Sequence, residues 1–278
     1  MNAPVAVVVD SAANLPGEVA RELGIEVVPM YLNLGGTTYR DGLDLTPGDF
    51  YDRLLRDREP ASTSTPSPGD FMEAYERPGG HEVLCVTVAE SMSSSIQHAT
   101  LAADRFDGRV EIIDSGSASM GEGFVAIEAA RRAASGGSLE EVAARAREVA
   151  SRARLFATVD TFEFLRKSGR VTKLQAYAAT MLDIKPVFGF REGEIAPIAR
   201  PRTRRRAIDA VVEAALAEIG DRSVHFAVFH AAAADDALAL ASRIEERANV
   251  FERYVVEVTP VIGAHTGPGL VGTAFFCQ

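Results

Sequence analysis

The chain has 278 residues, with 29 Lys and Arg against 39 Asp and Glu, a net charge of −10. At 47% apolar and 24% charged residues it has a globular composition. That excludes a disordered, collagenous or mucin-like chain, and the length suits about two domains. The acidic balance excludes a protein that coats nucleic acid or anionic membrane as a whole. Aromatic residues are only 7% and Trp is absent, so Ala, Val, Leu and Ile must build most of the core.

The opening run Val5 to Val9 is apolar and β-branched, as a strand buried on both faces requires. It stops at Asp10 and lacks a basic flank, so it reads as a first strand and not as a signal peptide. A helix is predicted over about 17–23, a strand over 25–34 and a turn at Gly35-Gly36. Thr46-Pro47 has the cap-then-proline signature of a helix running to about Arg56. Residues 59–68 read as a polar loop with three prolines, and a helix opens near Asp70. Strands follow at 82–89 and 109–114, each leading into a helix. The second of these helices is Ala-rich and ends near Ala134. Another helix runs from Ser138 to about Arg152. This alternation implies a mainly parallel sheet in the first half.

The second half mixes connection types. Strands are predicted at 156–161, 223–231, 251–263 and 273–277, with a hairpin turn at Arg191-Glu192-Gly193. Helices are predicted near 173–182, 203–219 and 234–247. The expected fold class is α/β: residues 1–153 with a mainly parallel sheet, residues 154–278 with a mixed one, and a ligand tunnel between them. Cys85 sits in an apolar strand and Cys277 next to the C-terminus. Such a pair makes neither a disulfide framework nor a metal site, so a reducing, cytoplasmic setting is expected. No apolar run approaches the roughly 18 residues of a membrane span.

Ligands of open α/β sheets bind beyond the carboxyl ends of the strands. Here those ends carry short hydroxyls: Asp10-Ser11, Ser91 to Ser95, and Asp114-Ser115, with Ser62 to Thr65 and Ser67 in the proline loop. Hydroxyls and helix N-termini together suit an anionic head group, although each serine is equally an ordinary helix cap. His265-Thr266-Gly267-Pro268-Gly269 places one histidine in a glycine-rich loop after a strand. Glycines there let backbone approach a ligand closely. Five arginines crowd into Arg200 to Arg206, an anion site or a docking surface by its chemistry. Walker, G-x-S-x-G and H-E-x-x-H signatures are absent. Gly121 to Ala126 fits G-x-G-x-x-A but stands six residues beyond its strand, too far for a dinucleotide turn.

Assembled in order, these segments resemble the DegV family. The resemblance rests on Asp10-Ser11 with Leu15-Pro16, on Thr63-Ser64-Thr65-Pro66-Ser67, and on Ser168-Gly169-Arg170. It rests further on Lys185-Pro186, Arg202-Thr203 and the intact His265 to Gly269. It implies a two-domain protein that holds one long-chain fatty acid between its domains. As a carrier subunit and not an enzyme, such a protein presents the carboxylate to a separate kinase, which makes an acyl-phosphate for phospholipid synthesis. The resemblance places the head group at Thr63, Ser93 and His265, with Ser64, Ser94 and Thr266 as neighbours. It assigns Arg170 and Arg202 to head-group orientation or kinase docking. It implies neither cofactor nor metal, no nucleic-acid partner, and at most transient contact with a membrane surface. The segment Ala89-Glu90 departs from the family's paired serines, and Ser94 replaces a glycine, which predicts a tighter turn. Met92, Met120 and Met181 are the predicted adaptable lining. Two other classes compete: an acyl-processing enzyme with His265 as base, and a regulatory or nucleic-acid module acting through residues 200–206.

Overall fold

The computed structural model describes residues 5–57, 59–79, 81–169, 184–191 and 193–278. In the first half, β1 (Ala6–Asp10), β2 (Ile25–Val28), β6 (Glu82–Thr87) and β7 (Arg109–Asp114) form a parallel sheet in the order β2-β1-β6-β7. Pro29, which has no N–H to donate, ends β2, so the predicted 25–34 strand is two elements. Its remainder, β3 (Tyr31–Leu34), pairs with β4 (Thr37–Arg40) and with β5 (Ala61–Ser64) in a small antiparallel sheet. β5 lies inside the segment predicted to be a loop. It is short, polar and alternately exposed, an edge strand with little apolar pattern to betray it.

Four helices follow in the first half besides α1 (Gly17–Glu22) and α2 (Pro47–Asp52): α3 (Pro68–Glu76), α4 (Ser95–Ala103), α5 (Met120–Ala134) and α6 (Leu139–Arg152). Ser67 and Ser138 close capping boxes on α3 and α6, so at both places the serine is a cap. Only Ala153 separates α6 from β8 (Arg154–Thr158), where the predicted division of the chain falls.

The second sheet has the order β10-β9-β8-β13-β11-β12. It is built from β8, β9 (Val187–Arg191), β10 (Glu194–Ala199), β11 (Ser223–His230), β12 (Asn249–Glu257) and β13 (Val271–Cys277). β11 and β12 are parallel, and the other pairings are antiparallel. The described helices of this half are α7 (Glu163–Ser168), α8 (Arg204–Ile219), α9 (Ala234–Glu245) and α10 (Pro260–Thr266). The helix predicted near 173–182 lies outside the described residues. The predicted strand 251–263 stops at Glu257, and Pro260 opens α10.

Period-2 alternation gives the second sheet two different faces. Leu155, Ala157, Phe188, Phe190, Ala227, Phe229, Ala274 and Phe276 join one core with the parallel sheet. Their neighbours Phe156, Val187, Phe226, Val228 and Phe275 join another core under α8 and α9. Between the sheets lie α5 and α6. α5 packs on β1 and β6 on one side and on β13 on the other. Twelve of its fifteen residues are buried, which explains its Ala- and Gly-rich sequence. The Phe124 ring meets Phe276 at 5.5 Å and Tyr254 at 6.1 Å between centroids, bolting α5 to the second sheet.

At the edge of this layer, Glu252 accepts hydrogen bonds from Arg131 of α5 and Tyr254, and pairs with His225. Burial opposes its ionisation, but these partners outweigh burial and hold the carboxyl well below the usual carboxylate range.

Because one core runs through both halves, urea unfolding is expected as a single transition. Phe124→Ala should lower its free energy by about 3–5 kcal/mol. Separate transitions for the halves, with only one shifted, would contradict this packing.

Candidate functional site

A cavity of about 450 Å³ opens at the N-terminal end of α5, where the sheets are no longer held apart by helix. That volume is in the range of small-molecule sites. Leu155, Ala157, Phe188, Phe190, Ile195 and Phe229 of the second sheet form an apolar wall. Opposite stand Ala12 and Val88 after β1 and β6, with Met30 and Met92. The polar mouth is built from Thr63, Ser64, Thr65, Ser91, Ser93, Ser94, His265 and Thr266. Among the described residues, no Asp, Glu, Lys or Arg lines this cavity.

The register of the small antiparallel sheet sets Thr63 opposite Leu32 and turns it inward, while Ser62 and Ser64 are exposed. The Thr63 hydroxyl meets His265 Nε2 at 2.7 Å, joining residues 202 positions apart. Ser93 Oγ accepts from the Ser95 amide at 3.2 Å and touches Ser95 Oγ at 3.1 Å, beside the N-terminus of α4.

His265 rides on α10 and not in a loop, and a buried carboxylate anchors that helix. Thr259 precedes α10 but makes no side-chain cap. Asp41, 3% exposed, supplies the acceptor: its Oδ1 takes the Val261 N–H at 3.0 Å and its Oδ2 the Ser11 hydroxyl at 2.7 Å. Ser11 Oγ in turn accepts from the Met30 amide at 3.0 Å. Asn14 completes the latch, accepting from Thr259 N–H at 2.9 Å and donating to Glu257 O at 3.0 Å. Burial raises the pKa of Asp41 against the lowering effect of these donors. The glycines of the following turn are steric. A Cβ at Gly267, whose φ is +72°, would lie 2.2 Å from the Phe164 ring.

The six predicted hydroxyl and histidine residues, Thr63, Ser64, Ser93, Ser94, His265 and Thr266, all lie on the cavity. Asp10, Ser11, Asp114 and Ser115 do not line it: Ser11 serves the latch, and Asp114 receives the Glu90 and Gly116 amides. Arg170 lies outside the described residues. Arg202 is exposed and away from the cavity wall. Its neighbour Arg204 is half-buried and pairs with Asp236 at 2.8 Å and Asp160 at 3.5 Å, so the arginine cluster is partly structural.

The Ala89-Glu90 departure is absorbed without strain. Ala89 is fully buried, Glu90 turns outward to Gln97, and Met92 N–H closes the turn on Ala89 O at 2.8 Å. Ser94 has φ −86°, open to any residue, so the expected tightening is not found.

Met92 lines the cavity. Met120 is core instead, and Met181 lies outside the described residues. Sequence reasoning missed Met30 and the aromatic wall that three phenylalanines form. The alternation in Val187-Phe188-Gly189-Phe190 held that signal. It also missed Ser119, a non-glycine residue at φ +50° whose buried hydroxyl has no hydrogen-bond partner among the described residues. Such strain concentrates at functional sites.

The sequence model of the DegV family, described as uncharacterised proteins, matches residues 4–278. A DegV domain-containing protein of Streptomyces coelicolor is 35% identical over 276 residues, covering 98% of each chain. A fatty-acid-binding DegV family protein from Thermus thermophilus superposes with TM-score 0.93 at 32% identity, covering 99% of this chain and 100% of that one. DegV of Bacillus subtilis, a fatty acid binding protein, gives TM-score 0.90 at 26% identity, covering 99% of both chains.

Asp41→Ala leaves two buried donors, Val261 N–H and Ser11 O–H, without their acceptor. The expected loss is roughly 1–3 kcal/mol for each orphaned donor. It should appear as a lower melting temperature together with displaced His265 resonances in NMR. An unchanged melting temperature would sink the latch.

Proposed function

This chain belongs to the DegV family, and we propose that it binds one long-chain fatty acid, carboxylate at Thr63, Ser93 and His265. The alkyl chain then lies along Leu155, Phe188, Phe190, Ile195 and Phe229. The observation that carries this reading is the division of one cavity into a hydroxyl-and-imidazole mouth and an uncharged apolar wall. The related proteins from Thermus thermophilus and Bacillus subtilis, both fatty-acid binding, support it.

The energetics are adequate. A sixteen-carbon acid has about 14 methylenes, and at about 0.8 kcal/mol each their burial offers roughly 11 kcal/mol. Ordering the chain and the binding partners takes back part of this. A carboxylate at the mouth needs donors, because an unpaired buried charge is very costly. Hydroxyls at Thr63 and Ser93 and a ring N–H of His265 supply them, with Ser64, Ser94 and Thr266 beside them.

The same arrangement suits a carrier better than an enzyme. The mouth offers the carboxylate, and in this reading Thr63 and His265 serve it as hydrogen-bonding partners and not as nucleophile and base. We propose that a separate kinase docks over the mouth and transfers a phosphoryl group from ATP to the carboxylate, yielding acyl-phosphate and ADP. Arg202 and the exposed Arg205 and Arg206 provide a basic docking surface on an otherwise acidic chain. In this reading the carrier needs no cofactor and works in the cytoplasm. No described helix is long and apolar enough to cross a membrane.

Protein purified from bacteria should release a fatty acid into solvent extracts, read by mass spectrometry. Folded protein that yields an empty extract, and takes up none when offered palmitate, would end this reading. Combining Ser93→Ala with His265→Ala should weaken palmitate binding well over tenfold, since two charge-assisted hydrogen bonds are lost. Unchanged affinity would place the head group elsewhere.

A further inference from the structure

Behind the Ser93 loop lies a second polar group of residues, sealed from solvent. Asp10 at the end of β1 and Glu122 in the first turn of α5 are both 0% exposed. Asp10 accepts the Ala12 amide through Oδ1 and the Val88 amide through Oδ2, each at 3.1 Å. Ala12 and Val88 both line the cavity, so this carboxyl holds two pieces of its wall. Glu122 faces the Asp10 carboxyl, and among the described residues the hydroxyls of Thr87, Ser117 and Ser119 have no hydrogen-bond partner.

Two ionised carboxylates buried side by side are untenable, so Glu122 carries a proton. The groups that face the pair are Cys85 of β6 and Asp114 of β7, with no cation among them. Burial, then the like charge of Asp10, raises Glu122 well above the usual range, and burial lifts Asp10 to about 6. Two coupled carboxyls titrate as a unit, which here holds one proton at neutral pH and gains the second as pH falls toward about 6.

The pair is connected to the mouth. The Ser95 hydroxyl faces Asp10. Ser95 is 0% exposed, and its Oγ lies 3.1 Å from the Oγ of Ser93 on the cavity wall. A hydroxyl chain between a titrating acid and a ligand has two polarities. With Asp10 ionised, Ser95 donates to Asp10 and Ser93 donates to Ser95, which turns the lone pairs of Ser93 toward the mouth. With Asp10 protonated, the acid donates to Ser95, Ser95 to Ser93, and Ser93 to the head group. The Ser95 amide donates to Ser93 Oγ in either state.

We propose that Asp10 and Glu122 are positioning residues of the head-group site, a buried carboxyl pair that takes up one proton from solvent when an anionic head group settles on Ser93. This rests on the fatty-acid reading above. Uptake reverses the Ser95–Ser93 chain and removes a buried negative charge behind the ligand, and release of the ligand returns the proton. By linkage, affinity for a carboxylate weakens as pH rises above the range where the pair holds both protons, at most about tenfold per pH unit for one coupled proton.

The test is calorimetric titration of the delipidated full chain with palmitate at pH 7, in two buffers of different ionisation enthalpy. The wild type is expected to take up protons. Asp10→Asn, permanently neutral, should take up markedly less, with a flatter dependence of affinity on pH. Uptake at His265 or on the ligand itself is common to both proteins and drops out of the comparison. Should Asp10→Asn not fold, an infrared difference spectrum of wild type with and without isotopically labelled palmitate replaces it. A neutral carboxylic acid band that gains intensity at the unlabelled position supports the pair. Equal proton uptake in both proteins, or no gain in that band, would overturn it. Failure of the wild type to bind palmitate at any pH would overturn the fatty-acid reading itself, a distinct result.

Discussion

The molecule depends on one packing constraint: α5 and α6 are wedged between two sheets that face each other with apolar surfaces. Sheets cannot leave such faces wet, and a helix pair is a filling of the right thickness. Small residues on α5, chiefly alanine and glycine, admit close approach from both sides. Where α5 begins, the filling stops. The apolar faces continue past Ala118 and Ser119, and the cavity occupies the space between them. The site is therefore the unfilled end of the same layer that holds the halves together.

That origin accounts for the chemistry of the site. The second sheet contributes apolar side chains because its inner face is a core face. The parallel sheet contributes the carboxyl ends of its strands, where chain turns and helix starts place short hydroxyls. Charged side chains are absent from the described lining, so in the proposed reading an anion is held by hydroxyls, amides and one imidazole. The acids of this region, Asp10, Asp41 and Glu122, lie one layer back. Asp41 positions the helix that bears His265, and the Asp10–Glu122 pair stands behind Ser93. In the proposed reading, stability and ligand recognition share the same buried carboxyls.

Much of the fold was legible before the structure. Strands such as Val5 to Val9 and Glu82 to Thr87 are apolar enough to need burial on both faces, and Thr46, Ser138 and Thr203 announce helix starts. The errors share a cause. Ala61 to Ser64 is a strand only because Tyr31 to Leu34 offers it a ladder. α10 was read as the end of a strand because Val255 to Ile262 stays rich in β-branched residues, and Pro260 marks the change. The aromatic wall was hidden because counting phenylalanines says nothing of which face each one takes.

The sequence by itself determined most of the elements, the α/β class, the family, and the hydroxyls and histidine at the mouth. Local periodicity, caps and short motifs act over a few residues and can be read along the chain. Only tertiary structure decided that Thr63 meets His265, that Ser11 and Asn14 latch a helix instead of holding a ligand, and that Asp10 and Glu122 share a sealed pocket. Each of these joins residues far apart in sequence, through burial that exists only once two sheets have closed on α5. What burial does to a carboxyl, raising its hold on a proton, has no local signature at all.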